Sequence, residues 1–172
     1  MKAMILAAGL GERMKPLTYS TPKPLLTVAG VPLLERQIVR LKQAGCREII
    51  INVSYLAKQI IDFCSQKSNF GISIYFSEEQ FPLETAGAVV KVLPILGDEL
   101  FLLVNADIWT EFNYHKLLSM SLTRDILAHL VLVPNPLEKA SGDFSVEDGL
   151  VRKMNARKTS FTYSGIGLFS PK

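Results

Sequence analysis

Residues 48–53 read EIIINV. Three isoleucines in a row followed, after one asparagine, by a valine leave no polar face. Such a run reads as a strand buried on both sides, as in a parallel sheet with helices over each face. Working upstream, Leu33 to Ala44 places apolar residues at 34, 38 and 41 and stops at Gly45, a helix with its C′ glycine. Working downstream, Leu56, Ile60, Phe63 and Cys64 mark the next helix. The alternation continues in both directions. Lys2–Ala7 and Ile72–Phe76 read as strands, Thr85–Leu93 as a helix closed by Pro94, and Leu100–Val104 (LFLLV) as a strand. Asn113–Met120 reads as a helix and Leu127–Val133 as a strand. Strands and helices of these lengths make βαβ units. After Pro134 shorter strands take over, at Phe144–Val146, Leu150–Val151 and Tyr163–Phe169, some of them antiparallel. The expected fold is α/β: a Rossmann-like, mostly parallel sheet with helices on both faces and a β-rich C-terminal part, in a single domain over 1–172.

Composition narrows the function classes. With 48% hydrophobic and 20% charged residues in 172, the chain is ordinary globular protein. No apolar run reaches the ~20 residues of a membrane span. The opening run Ala3–Leu10 is only eight residues, and Glu12, Arg13 and Lys15 stand where a small-residue cleavage site belongs, so a signal peptide is not expected. Cys46 and Cys64 have neither metal-site nor disulfide-framework spacing, and fall at apolar positions. They are expected to be buried, reduced thiols of a cytoplasmic protein. The net charge of +3 is too small to argue for nucleic acid. Its distribution is more telling: Lys2, Arg13, Lys15 and Lys23 open the chain, and Arg152, Lys153, Arg157, Lys158 and Lys172 close it. Two basic stretches on an acidic body suit a small anionic ligand with two ends.

Open α/β sheets collect ligands at the carboxyl ends of their strands. Those ends are the loop after Ala7, the segment 77–84 and Asn105–Asp107, which should therefore converge. The first of them, LAAGLGERMKPLTYSTPKPLL at 6–26, fails both standard phosphate motifs. The third position of a dinucleotide fingerprint is Met14, and no Gly-Lys-Ser/Thr follows. What remains is Ala7-Ala8-Gly9-Leu10-Gly11, small enough for backbone N–H groups to approach a ligand. Arg13 adds a planar fork for phosphate oxygens, and Lys23, between Pro22 and Pro24, adds a point charge on stiffened backbone. This is a triphosphate cradle built from loop. At the end of LFLLV, Asp107 brings a carboxylate to the same edge.

Residues 6–35, with PLETAGAV at 82–89 and NADIW at 105–109, closely resemble the sugar-1-phosphate nucleotidyltransferases, the NDP-sugar pyrophosphorylases. The pattern is most similar to the branch that uridylylates N-acetylmuramate 1-phosphate in cell-wall recycling. Mannose-1-phosphate guanylyltransferases share much of it. The resemblance implies attack by a sugar-1-phosphate oxygen on the α-phosphorus of a nucleoside triphosphate, assisted by Mg2+. It implies that Lys23 lies near the α-phosphate and the sugar phosphate, and that Asp107 is the metal ligand. Arg13 is assigned to the departing β- and γ-phosphates. Ala7, Ala8, Gly9, Gly11, Asn105 and the loop of Leu83, Glu84, Thr85 and Gly87 are assigned to the nucleotide, with Thr85 either capping a helix or bonding the base. Gly142, Tyr163 and Ser164 match the family's acceptor side, although relatives carry Asn where this chain has Tyr163. Ala106 replaces a common glycine and requires a negative φ.

On this basis residues 1–110 form the nucleotide part and 111–172 the acceptor part. Relatives continue for several dozen residues and bring a second acidic ligand, so these 172 residues are expected to bind triphosphate yet turn over poorly. An exposed apolar patch would then favour homo-oligomers. Glu78 and Glu79 are expected to be solvated, Trp109 to wall the sugar pocket or simply pack, His115 to face solvent and His129 to lie in the core or at an edge. Two rival classes remain: a nucleotide-binding protein without turnover, and a redox Rossmann enzyme. The latter lacks the third glycine and an acidic residue at 52–54.

Overall fold

Residues 1–154 and 159–172 are described by the computed structural model of the chain. The first strand, β1 (Lys2–Leu6), leads into a long loop of three short 3-10 turns at Glu12–Met14, Leu17–Tyr19 and Lys23–Leu25. A two-residue hairpin, β2 (Thr27–Val28) and β3 (Val31–Pro32), joins this loop to α1 (Leu33–Gln43). Then come β4 (Glu48–Val53), α2 (Ala57–Gln66), β5 (Ser73–Glu78), α3 (Glu84–Leu96) and β6 (Phe101–Asn105). The rest is α4 (His115–Leu118), β7 (Ala128–Val133), β8 (Phe144–Glu147), β9 (Leu150–Lys153) and β10 (Ser160–Phe169).

Strands β5, β4, β1 and β6 lie side by side and parallel, with β1 and β4 in the middle. The side chains of β1, β4 and β6 alternate between two cores, which is why those strands are apolar through their middles, whereas β5 at the edge keeps Ser73, Tyr75 and Glu78 exposed. Ala3 and Ile5 of β1, Ile49 and Ile51 of β4, and Leu102 and Val104 of β6 face one core. They meet Leu34, Ile38 and Leu41 of α1 and Ile60 and Cys64 of α2 there. Met4, Ile50, Phe101 and Leu103 face the other, beneath Ala88, Val92 and Leu96 of α3. The run EIIINV is thus buried from both sides, its Ile50 against α3 and its Ile49 and Ile51 against α1 and α2. Both cysteines are buried, and desolvation pushes the Cys64 thiol up to about 12.

Beyond β6 the sheet turns antiparallel. β10 pairs with β6 and β7, and at its start with β8, which continues into β9. β7 consequently runs in the direction of the parallel four. No helix among the described residues is long and apolar enough to cross a membrane.

Several boundaries differ from the sequence reading. α3 does not close before Pro94 but runs through it to Leu96 and ends at Gly97, whose φ is 76°. Pro94 lies in the last turn and removes a hydrogen bond only to the carbonyl of Val90, an exposed residue, so the turn survives. The helix expected over 113–120 shrinks to four residues. β10 starts at Ser160, earlier than expected, and bulges between Tyr163 and Gly167.

Candidate nucleotide site at the carboxyl edge of the sheet

The loop after β1, the segment after β5 and the residues after β6 line one cleft of about 520 Å³. Ala7, Ala8, Gly9, Gly11, Arg13, Lys23, Glu84, Thr85, Asn105 and Asp107 all contribute to its wall. The loop holds its shape from within. Gly11 adopts a φ of +67°, and a Cβ there would come within 2.9 Å of Thr18 Cγ2. Thr18, fully buried, donates from Oγ1 to the Gly11 carbonyl at 2.9 Å. Gly11 therefore satisfies both a left-handed backbone and a close approach. Gly9 has nothing near its missing side chain and leaves the floor of the cleft open.

The charges gather as expected. Lys23 Nζ donates to Asp107 Oδ2, and both side chains keep about a quarter to a third of their surface open. Arg13 is exposed at the rim. Lys15 is turned to Glu12 at 2.5 Å and lies 5.4 Å from the Tyr19 ring, outside the cleft wall. The Glu12 carboxylate raises its pKa, against a smaller opposing effect of burial.

The chain leaving Asp107 is anchored. Gln37, fully buried on α1, donates to the Ile108 carbonyl at 2.7 Å and accepts from Tyr114 Oη at 2.6 Å. Burial is the main cause of the raised Tyr114 pKa. Ala106 is buried with no positive φ, and its N–H donates to the Leu6 carbonyl at 3.0 Å, carrying the β1–β6 ladder one step past the strand ends. On the other side of Asn105, the bulge of β10 brings Gly165 so close that a Cβ would stand 2.7 Å from Asn105 Nδ2.

Other expectations fall elsewhere. Leu83 and Gly87 lie just behind the wall: Leu83 precedes α3, and Gly87 packs over it within the helix. Thr85 is exposed inside the first turn and makes no capping bond, because the helix starts before it. Gly142, Tyr163 and Ser164 are outside the cleft. Gly142 packs against the Asn135 side chain, which is tied to Ala140, Ser160 and Thr162. The Tyr163 N–H donates to Asp143 Oδ2 at 2.9 Å, and burial pushes the phenol up to about 12. Asp143 is held below the usual carboxylate range by its bond to Lys139 first, then by the Tyr163 amide. Trp109 lies outside the cleft under the Arg36 guanidinium, 3.5 Å from ring centre to charge. His115 is exposed, and His129 is exposed on β7 at the sheet's edge. Of the C-terminal basic stretch, Arg152 and Lys153 are exposed on β9 and Lys172 is exposed at the end, while Arg157 and Lys158 lie outside the described residues.

Two cleft residues escaped the sequence reading. Asn52 and Glu79 are 4% and 6% exposed. Glu79 is therefore not solvated as expected, unlike its exposed neighbour Glu78. Asn52 had a signal: it is the one uncharged polar residue in EIIINV, at the strand's ligand end. Nothing in the Glu78-Glu79 pair distinguishes the buried acid from the solvated one.

Comparison with known proteins agrees with this geometry. The family model described as "Nucleotidyl transferase" matches residues 2–153. N-acetylmuramate alpha-1-phosphate uridylyltransferase of Neisseria meningitidis serogroup B is 47% identical over 176 residues, covering 100% of this chain and 76% of its own. The mannose-1-phosphate guanylyltransferase catalytic subunit beta of Drosophila melanogaster is 40% identical over 119 residues, covering 67% of this chain. The match spans only about a third of that relative, 32%. Among solved structures, HddC from Yersinia pseudotuberculosis complexed with GMP-PN superposes with a TM-score of 0.79 at 28% identity, covering 99% of this chain and 76% of that one.

Proposed function

The chain belongs to the nucleotidyl transferase family, and from that premise we propose that it joins a nucleoside triphosphate to a sugar 1-phosphate, releasing pyrophosphate. The observation that carries the proposal is the placement of backbone donors, Arg13, Lys23 and Asp107 around one cleft at the sheet's carboxyl edge. UTP and N-acetylmuramate 1-phosphate are the substrates favoured by the 47% identity over the whole chain. Such a reaction belongs to the recycling of cell-wall sugars in the cytoplasm. Mannose 1-phosphate with GTP is the second reading, supported by the shorter 40% match.

Both substrates are anions, so repulsion and misalignment make up much of the barrier. A site of fixed positive charge and aligned donors lowers it without a covalent intermediate. A sugar-phosphate oxygen attacks the α-phosphorus, the bond to the β-phosphate oxygen breaks, and pyrophosphate leaves. Arg13 would meet the charge that grows on the leaving group, and Lys23 the α-phosphate. The loop amides of residues 7–11 and the wall of 82–87 would hold the nucleotide. Gly142, Tyr163 and Ser164 remain the candidates for the sugar phosphate, on the side of the cleft where Gly165 of β10 packs against Asn105.

Asp107 is the residue that would hold Mg2+. Among the described residues no group of three acidic, His or Cys side chains could hold a metal by itself. One carboxylate fits a cation shared with substrate phosphates and water, the usual arrangement for magnesium. Bound there, the ion would neutralise phosphate charge and orient the reacting groups. Lys23, now on Asp107, would then be released to the phosphates.

The test is a panel of UTP, GTP, dTTP and ATP with several sugar 1-phosphates and magnesium, read as pyrophosphate release beside a nucleotide titration. Release with UTP and N-acetylmuramate 1-phosphate above every other pair supports the first reading. Tight triphosphate binding with no release from any pair would leave a nucleotide-binding protein and overturn the transferase.

A further inference from the structure

We infer that Asn52 and Glu79 form a positioning bridge that presets the spacing between the two backbone walls of the cleft, the loop after β1 and the loop before α3. For the identity of its ligand the inference rests on the nucleotidyltransferase reading. Three hydrogen bonds make the bridge. The Ala7 N–H donates to Asn52 Oδ1 at 2.8 Å. Asn52 Nδ2 donates to Glu79 Oε1 at 3.0 Å. Glu79 Oε2 accepts the Leu83 N–H at 2.9 Å. A backbone bond from the Glu79 N–H to the Val53 carbonyl, 2.8 Å, ties the acid to the same strand end as the amide.

Each bond has a reason. β1 ends at Leu6, so the Ala7 N–H lies just past the paired ladder and needs an acceptor inside the protein. The Leu83 N–H precedes α3 and belongs to the donors that a helix start leaves without partners. One buried amide and one buried carboxylate satisfy both, and they span the gap between two walls that the chain separates by 76 residues, Ala7 to Leu83. The polarity is one-way. Asn52 must accept from Ala7 and donate to Glu79, and Glu79 must accept on both oxygens. Next to Leu83, Glu84 holds a φ of 59°, a conformation that a non-glycine residue keeps only when its neighbours are fixed. Glu84 and Ala7 both face the cleft. The bridge therefore sets the width of the nucleotide slot before any nucleotide arrives.

One-way polarity supplies a sharp test. Asn52→Asp keeps the bond to Ala7 but sets a carboxylate against Glu79. Glu79→Gln has one acceptor oxygen for two donors, Asn52 Nδ2 and Leu83 N–H. The double variant reverses the middle bond: the new amide at 79 donates to the new carboxylate at 52, and its oxygen still accepts from Leu83. Net charge and shape are unchanged. Hydrogen exchange at the Ala7 and Leu83 amides should quicken by about tenfold in each single variant of the ligand-free protein, a size set by one unmade buried hydrogen bond. KM for the triphosphate should rise by about the same factor, with kcat within roughly threefold. The double variant should restore both. Unchanged exchange and KM in the single variants would overturn the bridge. So would a double variant that recovers exchange while KM stays high, because Glu79 would then act on the nucleotide directly. If a single variant does not fold, the charge-conserving double variant decides by the same two readouts. Loss of nucleotide binding by the unaltered protein would refute the transferase reading alone, since amide exchange judges the bridge without any ligand.

Discussion

The parallel half of the sheet and its antiparallel continuation solve different problems with the same kind of strand. In β4, Ile49, Ile50 and Ile51 are all fully buried, and the loops at the strand ends are tied to one another by side-chain bonds. In β9 every residue is exposed, and β8 buries only Ser145. Residues of the first half build a cleft whose walls are fixed from behind. Those of the second form a ribbon that touches the first half chiefly through β10, where Ile166 and Leu168 enter the core and Gly165 meets Asn105. Burial and side-chain bonding are densest behind the cleft, and the residues proposed for the sugar phosphate, Gly142, Tyr163 and Ser164, stand on the other part.

The cleft charges should carry the largest effects. Lys23→Ala removes a fixed positive charge from the proposed reacting phosphates and should lower kcat by about 10²–10³-fold. Asp107→Asn should also reduce turnover, yet in a chelator it should bind triphosphate more tightly than the unaltered protein, because Lys23 loses its carboxylate partner. Isothermal titration without magnesium checks the sign. Weaker binding by Asp107→Asn would contradict the exchange of partners proposed for Lys23. By contrast, neutralising Lys153 on β9 should leave kcat within roughly twofold.

Stability should follow the same division. Ile50→Ala opens a void between β4 and α3 and should cost about 2–5 kcal/mol in urea unfolding. Val151→Ala, at a β9 site with 37% of its surface open, should stay within about 0.5 kcal/mol. Equal losses at the two sites would mean that the ribbon is as firmly packed as the parallel core.

These contrasts also explain what was legible in the sequence. The parallel half was readable because full burial on two faces leaves an unbroken apolar run, as in EIIINV and LFLLV. Arg13, Lys23 and Asp107 were readable because each stands beside glycines, prolines or a strand end that fixes its place. Asn52 and Glu79 were not, since their roles depend on each other across 27 positions and neither has a local pattern that announces it. Pro94 misled because a helix-breaking residue is tolerated in the last turn. Gly142 and Ser164 were carried over from a family pattern, and no local physics tied them to the cleft.

A smaller effect is expected from alkali. Burial raises Cys64 from an ordinary 9.0 to about 12 and Tyr163 from 10.0 to about 12. Raised folded-state values mean that the native protein holds these protons longer than the unfolded chain does. Their contribution is complete below pH 9 and is lost as pH rises towards 12. Urea unfolding at a series of pH values should therefore show stability falling above pH 9, more gently in Cys64→Val. A flat profile over that range would contradict the burial of both groups.

The smallest effect concerns Tyr163. Its hydroxyl is buried and has no hydrogen-bond partner among the described residues, and the neighbouring Ser164 hydroxyl is in the same position. A buried donor left unpaired costs folding free energy, so Tyr163→Phe should leave stability unchanged or raise it by up to about 1 kcal/mol. Activity separates two roles for the same atom. If β10 serves only as a structural strand against Asn105, Tyr163→Phe should keep KM for the sugar 1-phosphate as well as kcat. If Tyr163 also meets the sugar phosphate beside the cleft, the unpaired hydroxyl is held ready for that ligand, and KM for the sugar 1-phosphate should rise about tenfold with the triphosphate KM unchanged. The proposed acceptor role requires the second outcome. A stable variant with both KM values intact would remove Tyr163 from the sugar side and leave the less buried half of the molecule as a support for Asn105.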